Sequence, residues 1–188
     1  MLLTGLLPDI TSDPAIETAT DSLEVGRSGT IVAPVGIRPP LLAAVATRTA
    51  TPLVVLTATG RDAETLTNAL ASWIPGVAML PAWETLPHER LSPQVDTMAR
   101  RIAVLRRLVH PIKGDDSAGP ISVLVVPIRA FLQPIISGLA DLEPVRVRTG
   151  DILDLTEATN RLAELGYERV DMVEGRGQMS VRGGILDV

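Results

Sequence analysis

The segment that could bind a phosphate group is the loop after the apolar run TIVAPV at residues 30–35. A P-loop has the pattern GxxxxGK followed by Ser or Thr, and its backbone N–H groups surround the anion. Here the loop reads GIRPPLLAAV, with one glycine and no Lys-Ser or Lys-Thr pair. Pro39 and Pro40 also remove two backbone N–H donors. The sequence therefore predicts that this loop does not bind a nucleotide.

The sequence also offers few residues that could bind a metal or act as a nucleophile. The two histidines, His88 and His110, have no partner ligands at metal-binding spacing, and the chain has no cysteine. The pair Asp115-Asp116 lies in a turn-rich stretch, which favours a solvated turn over a cation site. No nucleophile elbow is present. We therefore predict no catalytic residue, no metal ligand and no cofactor site in this chain.

The residues with the clearest binding chemistry lie near the end, in VRGGILDV. Arg182 precedes a Gly183-Gly184 corner, and a guanidinium can pair with a carboxylate through two parallel hydrogen bonds. Glycines at the corner would let the backbone of a partner approach closely. On the residues alone, the favoured interpretation is that Arg182 only flanks a turn and has no partner. Arg169 and Arg176 could extend a basic rim around it.

The composition argues against nucleic-acid binding, secretion and membrane insertion. The net charge of −5 is not that of a domain that binds phosphate backbones non-specifically. Only four aromatic side chains are present, too few for a base-stacking platform. The apolar start lacks the basic region of a signal peptide, and no stretch approaches the roughly 18 apolar residues of a membrane span. We expect a cytoplasmic protein with no membrane partner.

The first part of the chain alternates predicted strands and helices. This order predicts a mainly parallel sheet covered by helices on both faces. In the helix at 93–109, the predicted buried face consists of Val95, Met98, Ile102, Leu105 and either Leu108 or Val109, with the arginines elsewhere. The predicted strands are 30–35, 52–58, 77–81 and 121–127; the helices are 12–23, 39–49, 60–74, 93–109 and 128–136, and 82–93 is a loop.

The pattern changes near residue 140. The stretch EPVRVRTGD at 143–151 alternates apolar and basic residues, which predicts a half-exposed antiparallel strand. A helix at 155–167 follows, with Thr156 as a possible N-cap and Gly166 at its end. Residues 168–188 read as three short strands separated by turns. We predict an α/β subdomain over 1–140 and the start of a smaller α+β subdomain over 141–188.

Two stretches resemble the bacterial transcription-repair coupling factor family, known as Mfd. The first is LPAWETLPHERLSPQVDTMARRIAVLRRL at 80–108, and the second is LAELGYERVDMVEGRGQMSVRGGILDV at 162–188. The second also resembles the excision-repair protein UvrB. The stretch VLVVPIRAFLQ at 123–133 lies between them in the family's order. The resemblance covers nearly the whole chain from about residue 30, and the ordered combination is more specific than any single motif.

The resemblance implies the amino-terminal, UvrB-like region of the family. Residues 1–140 would then be a degenerate helicase-like module without a working nucleotide site. Residues 141–188 would begin the subdomain that binds UvrA, with Arg182, Gly183, Arg169 and Arg176 as its contacts. The chain would end partway through that subdomain. RNA polymerase and double-stranded DNA would be partners of the parent protein, whose motor would use ATP and Mg²⁺.

Two alternatives stay open at this point. A true nucleotide-binding helicase fragment would bind ATP, although the GIRPPLL loop argues against it. A direct UvrB-like DNA-binding module would need an aromatic hairpin, and the candidate loop at 82–93 has a single aromatic residue. The preferred interpretation is a non-catalytic interaction module that recruits UvrA and takes part in autoinhibition of the parent protein.

Overall fold

The structure is a computed structural model that describes residues 3–24, 28–48, 51–85 and 93–188. Helix α1 is followed by α2, which begins where the Asp13 carboxylate accepts the Ala15 N–H at 2.8 Å. Among the described residues, no helix is long and apolar enough to cross a membrane. The helices are α1 Leu7–Thr11, α2 Pro14–Glu24, α3 Arg38–Arg48, α4 Gly60–Leu70, α5 Val95–Val109, α6 Ile128–Phe131 and α7 Leu155–Glu164. The strands are β1 Leu53–Thr57, β2 Val77–Met79, β3 Val123–Pro127, β4 Glu168–Arg169, β5 Gln178–Arg182 and β6 Ile185–Asp187.

A three-stranded parallel sheet of order β1-β3-β2 forms the centre of the first part. Every residue of β3 is buried, because this strand is central and helices cover both of its faces. On one face, Val123 and Val125 pack with residues of α1, α3 and α4. On the other face, Leu124 and Val126 pack with Val104 of α5 and with α6.

A second, smaller sheet lies in the last part of the chain. Strand β4 pairs with β5 in parallel, and β5 pairs with β6 as an antiparallel hairpin. The predicted fold class, a parallel α/β sheet flanked by helices with a smaller α+β unit, is therefore confirmed. The predicted boundary between 140 and 141 stays a prediction.

The predicted strand at 30–35 is wrong. Residues 28–34 are irregular, and Val32 is 94% exposed. Apolar composition favours a strand locally, but a strand also needs a neighbour with free backbone groups. Among the described residues this segment forms no ladder, and Pro34 removes one of its donors.

The predicted strand at 143–151 is also wrong. Both edges of β5 are already paired with β4 and β6. The Arg148 N–H instead donates to the Asp151 carboxylate at 2.8 Å, which closes a local turn. The Arg146 guanidinium lies 3.7 Å from the Asp115 carboxylate. Local polar contacts therefore replace the ladder that the alternation predicted.

Several helix limits also differ from the prediction. Helix α6 ends at Phe131 rather than at 136, because Pro134 cannot donate to the Ala130 carbonyl. Helix α4 ends at Leu70. The N-cap of α7 is Asp154, whose carboxylate accepts the N–H groups of Thr156 and Glu157 at 2.8 and 3.1 Å. Thr156, predicted as the cap, supplies one of those donors.

The buried face of helix α5 agrees with the prediction at Leu105 but not at Val95. Its buried residues are Thr97, Arg101, Val104 and Leu105, whereas Val95 is 47% exposed. Arg101 is the surprising member, because it is an arginine that is only 1% exposed. The buried face of α5 includes Arg101 because its guanidinium stacks on the ring of Trp83. The spacing of apolar residues cannot indicate such a contact.

Candidate functional site: an arginine-lined face of the second sheet

Strand β4 of the second sheet directly follows the end of α7. Gly166 adopts a φ of +88°, and the Tyr167 N–H then returns to the Leu162 carbonyl at 3.0 Å. This is a glycine-terminated helix end, and it turns the chain into β4. Ala158 and Leu162 are buried on α7. Strand β4 therefore starts from a fixed point and carries Arg169 at its end.

The hairpin between β5 and β6 turns at Gly183 and Gly184. Their φ values are +53° and +89°, and Arg182 pairs with Ile185 across the turn. Two successive positive φ values are the geometry of a tight hairpin turn that matches the twist of its strands. No atom outside its neighbours lies within 4 Å of a Cβ built at either glycine. The corner is therefore open to a partner.

Arg182 is held by its own subdomain. Its guanidinium donates a hydrogen bond to the Asp171 backbone carbonyl, and the Ser180 hydroxyl donates to the same oxygen at 3.0 Å. Ser180 is buried, whereas the Arg182 side chain is exposed. The carbonyl occupies only part of the donor fork of the guanidinium, so further donors face solvent.

Arg182 and Arg169 line the same depression. This open depression has a volume of about 550 Å³. The lining residues are Arg169, Val170, Asp171, Ser180, Val181 and Arg182. Two exposed guanidinium groups at one depression can receive a carboxylate of a partner.

Arg176 lies apart from that depression. It sits in the turn before β5, and its Nε is 3.1 Å from Oδ1 of Asp96 in the first turn of α5. The structure thus brings Arg169 and Arg182 to one depression, with Gly183 next to Arg182 in the chain, and places Arg176 against another element. Asp96, Asp171 and Ser180 were not singled out from the sequence. A backbone carbonyl and a non-local ion pair leave no signal in a sequence pattern.

A second cluster holds the loop that follows β2. The guanidinium of Arg101 lies over the Trp83 ring, 4.4 Å from its centroid, and donates to the Pro81 carbonyl at 2.6 Å. The Gln133 side-chain oxygen accepts the backbone N–H of Trp83 at 2.8 Å. Trp83 therefore anchors this loop by packing and by its backbone hydrogen bond. Residues 86–92, which include His88, lie outside the described residues.

Glu84 holds the same loop against α5. Its carboxylate accepts a hydrogen bond from the Thr97 hydroxyl. Burial raises the pKa of Glu84, but that hydrogen bond, others from backbone N–H groups and the nearby Arg129 lower it, and the net pKa is below its usual value. Burial lowers the pKa of Arg101. These groups fix the loop, and their contacts are all within the chain.

The loop between β1 and α4 lies at the carboxyl edge of the sheet, where open α/β sheets bind ligands. There the Thr59 hydroxyl donates to the Asp62 carboxylate at 2.7 Å and accepts the Asp62 N–H at 3.1 Å. A carboxylate therefore occupies the end of the helix that would receive a phosphate. Among the residues that the structure describes, no three acidic or histidine side chains are grouped to hold a metal.

Comparison with known proteins gives consistent matches. Residues 145–188 match the family described as the UvrB interaction domain. The transcription-repair-coupling factor of Mycobacterium tuberculosis is 48% identical over 162 residues, which are 85% of this chain and 13% of that protein. The Escherichia coli factor is 27% identical over 150 residues, 79% of this chain and 12% of that protein. The UvrABC system protein B of Vibrio vulnificus is 43% identical over 58 residues, 28% of this chain and 9% of that protein.

These matches confirm the resemblance that the two motif stretches indicated. The interaction-domain match covers β4, β5 and β6, together with Arg169, Arg176 and Arg182. The chain spans about 13% of the length of the mycobacterial coupling factors that it matches.

Proposed function

Because this chain is a UvrB-homologous region of the transcription-repair coupling factor family, we propose that it binds UvrA and has no catalytic activity of its own. In the parent protein it would bring the excision machinery to a stalled RNA polymerase on damaged double-stranded DNA. The parent would be an ATP-dependent translocase of the cytoplasm, with ATP and Mg²⁺ bound by motor domains outside these 188 residues. The same surface would take part in autoinhibition.

The observation that carries the proposal is the pair of exposed arginines at one depression within the matched interaction domain. Arg182 is prepositioned by the Asp171 carbonyl, so little side-chain entropy is lost when a partner carboxylate binds. The open corner at Gly183 allows close approach of the partner. UvrA would therefore present at least one acidic side chain to this face.

A non-catalytic role is supported by the two loops that could have held a nucleotide. The first turn of α3 contains the adjacent prolines Pro39 and Pro40, which lack N–H donors. The first turn of α4 is occupied by the Asp62 carboxylate. A phosphate at the first turn of α3 would lack two backbone N–H donors, and a phosphate at the first turn of α4 would face the negative charge of Asp62.

Calorimetric titration of UvrA into the chain tests the proposal. Wild type should bind, and Arg182→Glu should lower the affinity by about 30- to 1000-fold, which corresponds to about 2–4 kcal/mol at an interface hot spot. Arg61→Glu, an exposed arginine on α4, is the matched control and should bind as wild type does. Circular dichroism checks that all three proteins are folded.

Two results would contradict the proposal. Equal UvrA affinity of wild type and Arg182→Glu would place the interface elsewhere on the chain. ATP binding at micromolar concentration, or tight salt-sensitive DNA binding, would instead support the nucleotide-binding or DNA-binding alternative.

A further inference from the structure

Arg176 contacts α5, on the opposite side of the domain boundary that the sequence predicts. Its Nε is 3.1 Å from Oδ1 of Asp96, while Oδ2 of the same carboxylate is 2.7 Å from Nε of Arg100. One aspartate thus joins a residue of its own helix to the turn that precedes β5. The first turn of α5 also favours a carboxylate, because the amino end of a helix carries partial positive charge.

The backbone beside Arg176 is packed against the same turn of α5. Gly177 has a φ of +84°, and a Cβ built there would lie 3.1 Å from Cγ1 of Val95. Both the side chain of Arg176 and the backbone of Gly177 therefore meet adjacent residues of α5. Two contacts of different kinds, one ionic and one steric, define a single docking point.

The turn itself is stiffened from within. The Gln178 side-chain oxygen accepts the N–H groups of Glu174 and Gly175 at 2.8 and 3.0 Å. Gln178 is also the first residue of β5, which ends at Arg182. A displacement of the turn from α5 would therefore move the start of the strand that carries Arg182.

We infer that Arg176 is a positioning residue, which orients the UvrA-binding face through Asp96 and does not itself contact UvrA. This inference rests on the proposed function and refines it: Arg169, Arg182 and Gly183 form the face, and Arg176 attaches it to α5. Under this inference Arg176 would not belong to the basic rim that the sequence predicts.

Amide hydrogen exchange of the chain without UvrA tests the contact directly. The reporters are the amides of Glu174 and Gly175, together with the Glu168 amide that binds the Gly177 carbonyl at 2.8 Å. Arg176→Gln and Asp96→Asn should each raise exchange about two- to fivefold, as expected for an exposed ion pair. The double variant should exchange no faster than either single variant.

Two matched controls separate this contact from general destabilisation. Arg176→Lys keeps a cation beside Asp96 and should exchange as wild type does. Arg100→Gln removes the other partner of Asp96 without touching the turn, and it should leave the reporters unchanged. Independent, additive increases in the two single variants would overturn the inference.

UvrA titration of the same variants gives the second readout. Arg176→Gln and Asp96→Asn should each weaken UvrA binding about two- to fivefold, and the double variant should bind as the single variants do. If Arg176 contacted UvrA, Arg176→Gln would weaken binding by the same factor in the wild-type and Asp96→Asn backgrounds, and Asp96→Asn alone would have no effect. If wild type did not bind UvrA, the proposed function would fail while the exchange cycle still decided the contact.

Discussion

The guanidinium of Arg101 is stacked on the Trp83 indole, and this contact joins α5 to the loop after β2. Arg101 is almost fully buried, and its Nε has no hydrogen-bond partner. Its Nη1 donates to the Pro81 carbonyl. The cation is thus satisfied by a ring face and one carbonyl, with no carboxylate in contact among the described residues.

Arg101→Ala should lower the free energy of unfolding by about 3 kcal/mol, because it leaves a cavity under Trp83 and an unpaired Pro81 carbonyl. Arg101→Met refills most of the volume and removes the cost of burying a charge, so it should lose only about 1 kcal/mol. Urea unfolding followed by tryptophan fluorescence measures both. Arg100→Ala, an exposed neighbour on α5, should stay within about 0.5 kcal/mol of wild type. Equal losses for Arg101→Ala and Arg100→Ala would contradict a role for the stack.

This stack marks the limit of what the sequence could predict. Local patterns gave β1, β2, β3, α7 and the hairpin correctly, because buried apolar runs and glycine turns act over a few residues. The buried face of α5 was only partly correct, since the spacing pointed to Leu105, which is buried, but also to Val95 and Met98, which are exposed. The helix buries Thr97 and Arg101 instead of those two residues. Arg101 is a core residue because a ring and a carbonyl from elsewhere in the chain meet it, which local spacing does not show.

The Asp115 turn should make stability depend on acid pH. Its Oδ1 accepts hydrogen bonds from the Ser117 hydroxyl and the N–H groups of Ser117 and Ala118, at 2.7 to 2.8 Å. These bonds, with a smaller contribution from Arg146, hold the pKa of Asp115 below its usual value. The stabilisation is therefore present above the pKa of the unfolded chain and is lost as pH falls through the folded-state pKa.

Asp115→Asn should reduce stability at neutral pH and flatten the loss of stability on acidification. The measurement is the urea midpoint as a function of pH, from neutral to about 3, which covers the usual titration of a carboxylate. Asp116→Asn removes the adjacent carboxylate, which makes none of these bonds, and serves as the control. An unchanged acid slope in Asp115→Asn would show that the turn does not couple protonation to folding.

The amino end of α7 offers a test between two adjacent candidates for the cap. Asp154→Ala should cost about 1 kcal/mol, because it leaves the N–H groups of Thr156 and Glu157 without their acceptor. Thr156→Ala should change stability by less than about 0.5 kcal/mol, since Thr156 contributes only its backbone N–H to the cap. Thermal unfolding measures both. A larger loss for Thr156→Ala would restore the cap that the sequence predicted.

Gly183 can be tested for two separate roles, turn geometry and closeness to UvrA. Its φ of +53° lies in the left-handed region, where asparagine is tolerated and β-branched residues are not. Gly183→Asn should therefore keep the free energy of unfolding within about 0.5 kcal/mol of wild type. Gly183→Val should lose more than about 1 kcal/mol, roughly the cost of forcing a left-handed conformation. Urea unfolding measures both variants.

The UvrA affinity of Gly183→Asn then isolates the second role. Because the space around Gly183 is open, an added side chain clashes with nothing inside the chain and meets only a bound partner. We expect a loss of about tenfold in affinity, or about 1.4 kcal/mol, by calorimetric titration. Gly150→Asn, at another open glycine with positive φ outside the second sheet, is the control and should bind as wild type does. Full affinity in Gly183→Asn would mean that the glycine serves the hairpin alone and that UvrA contacts the arginines without approaching the corner.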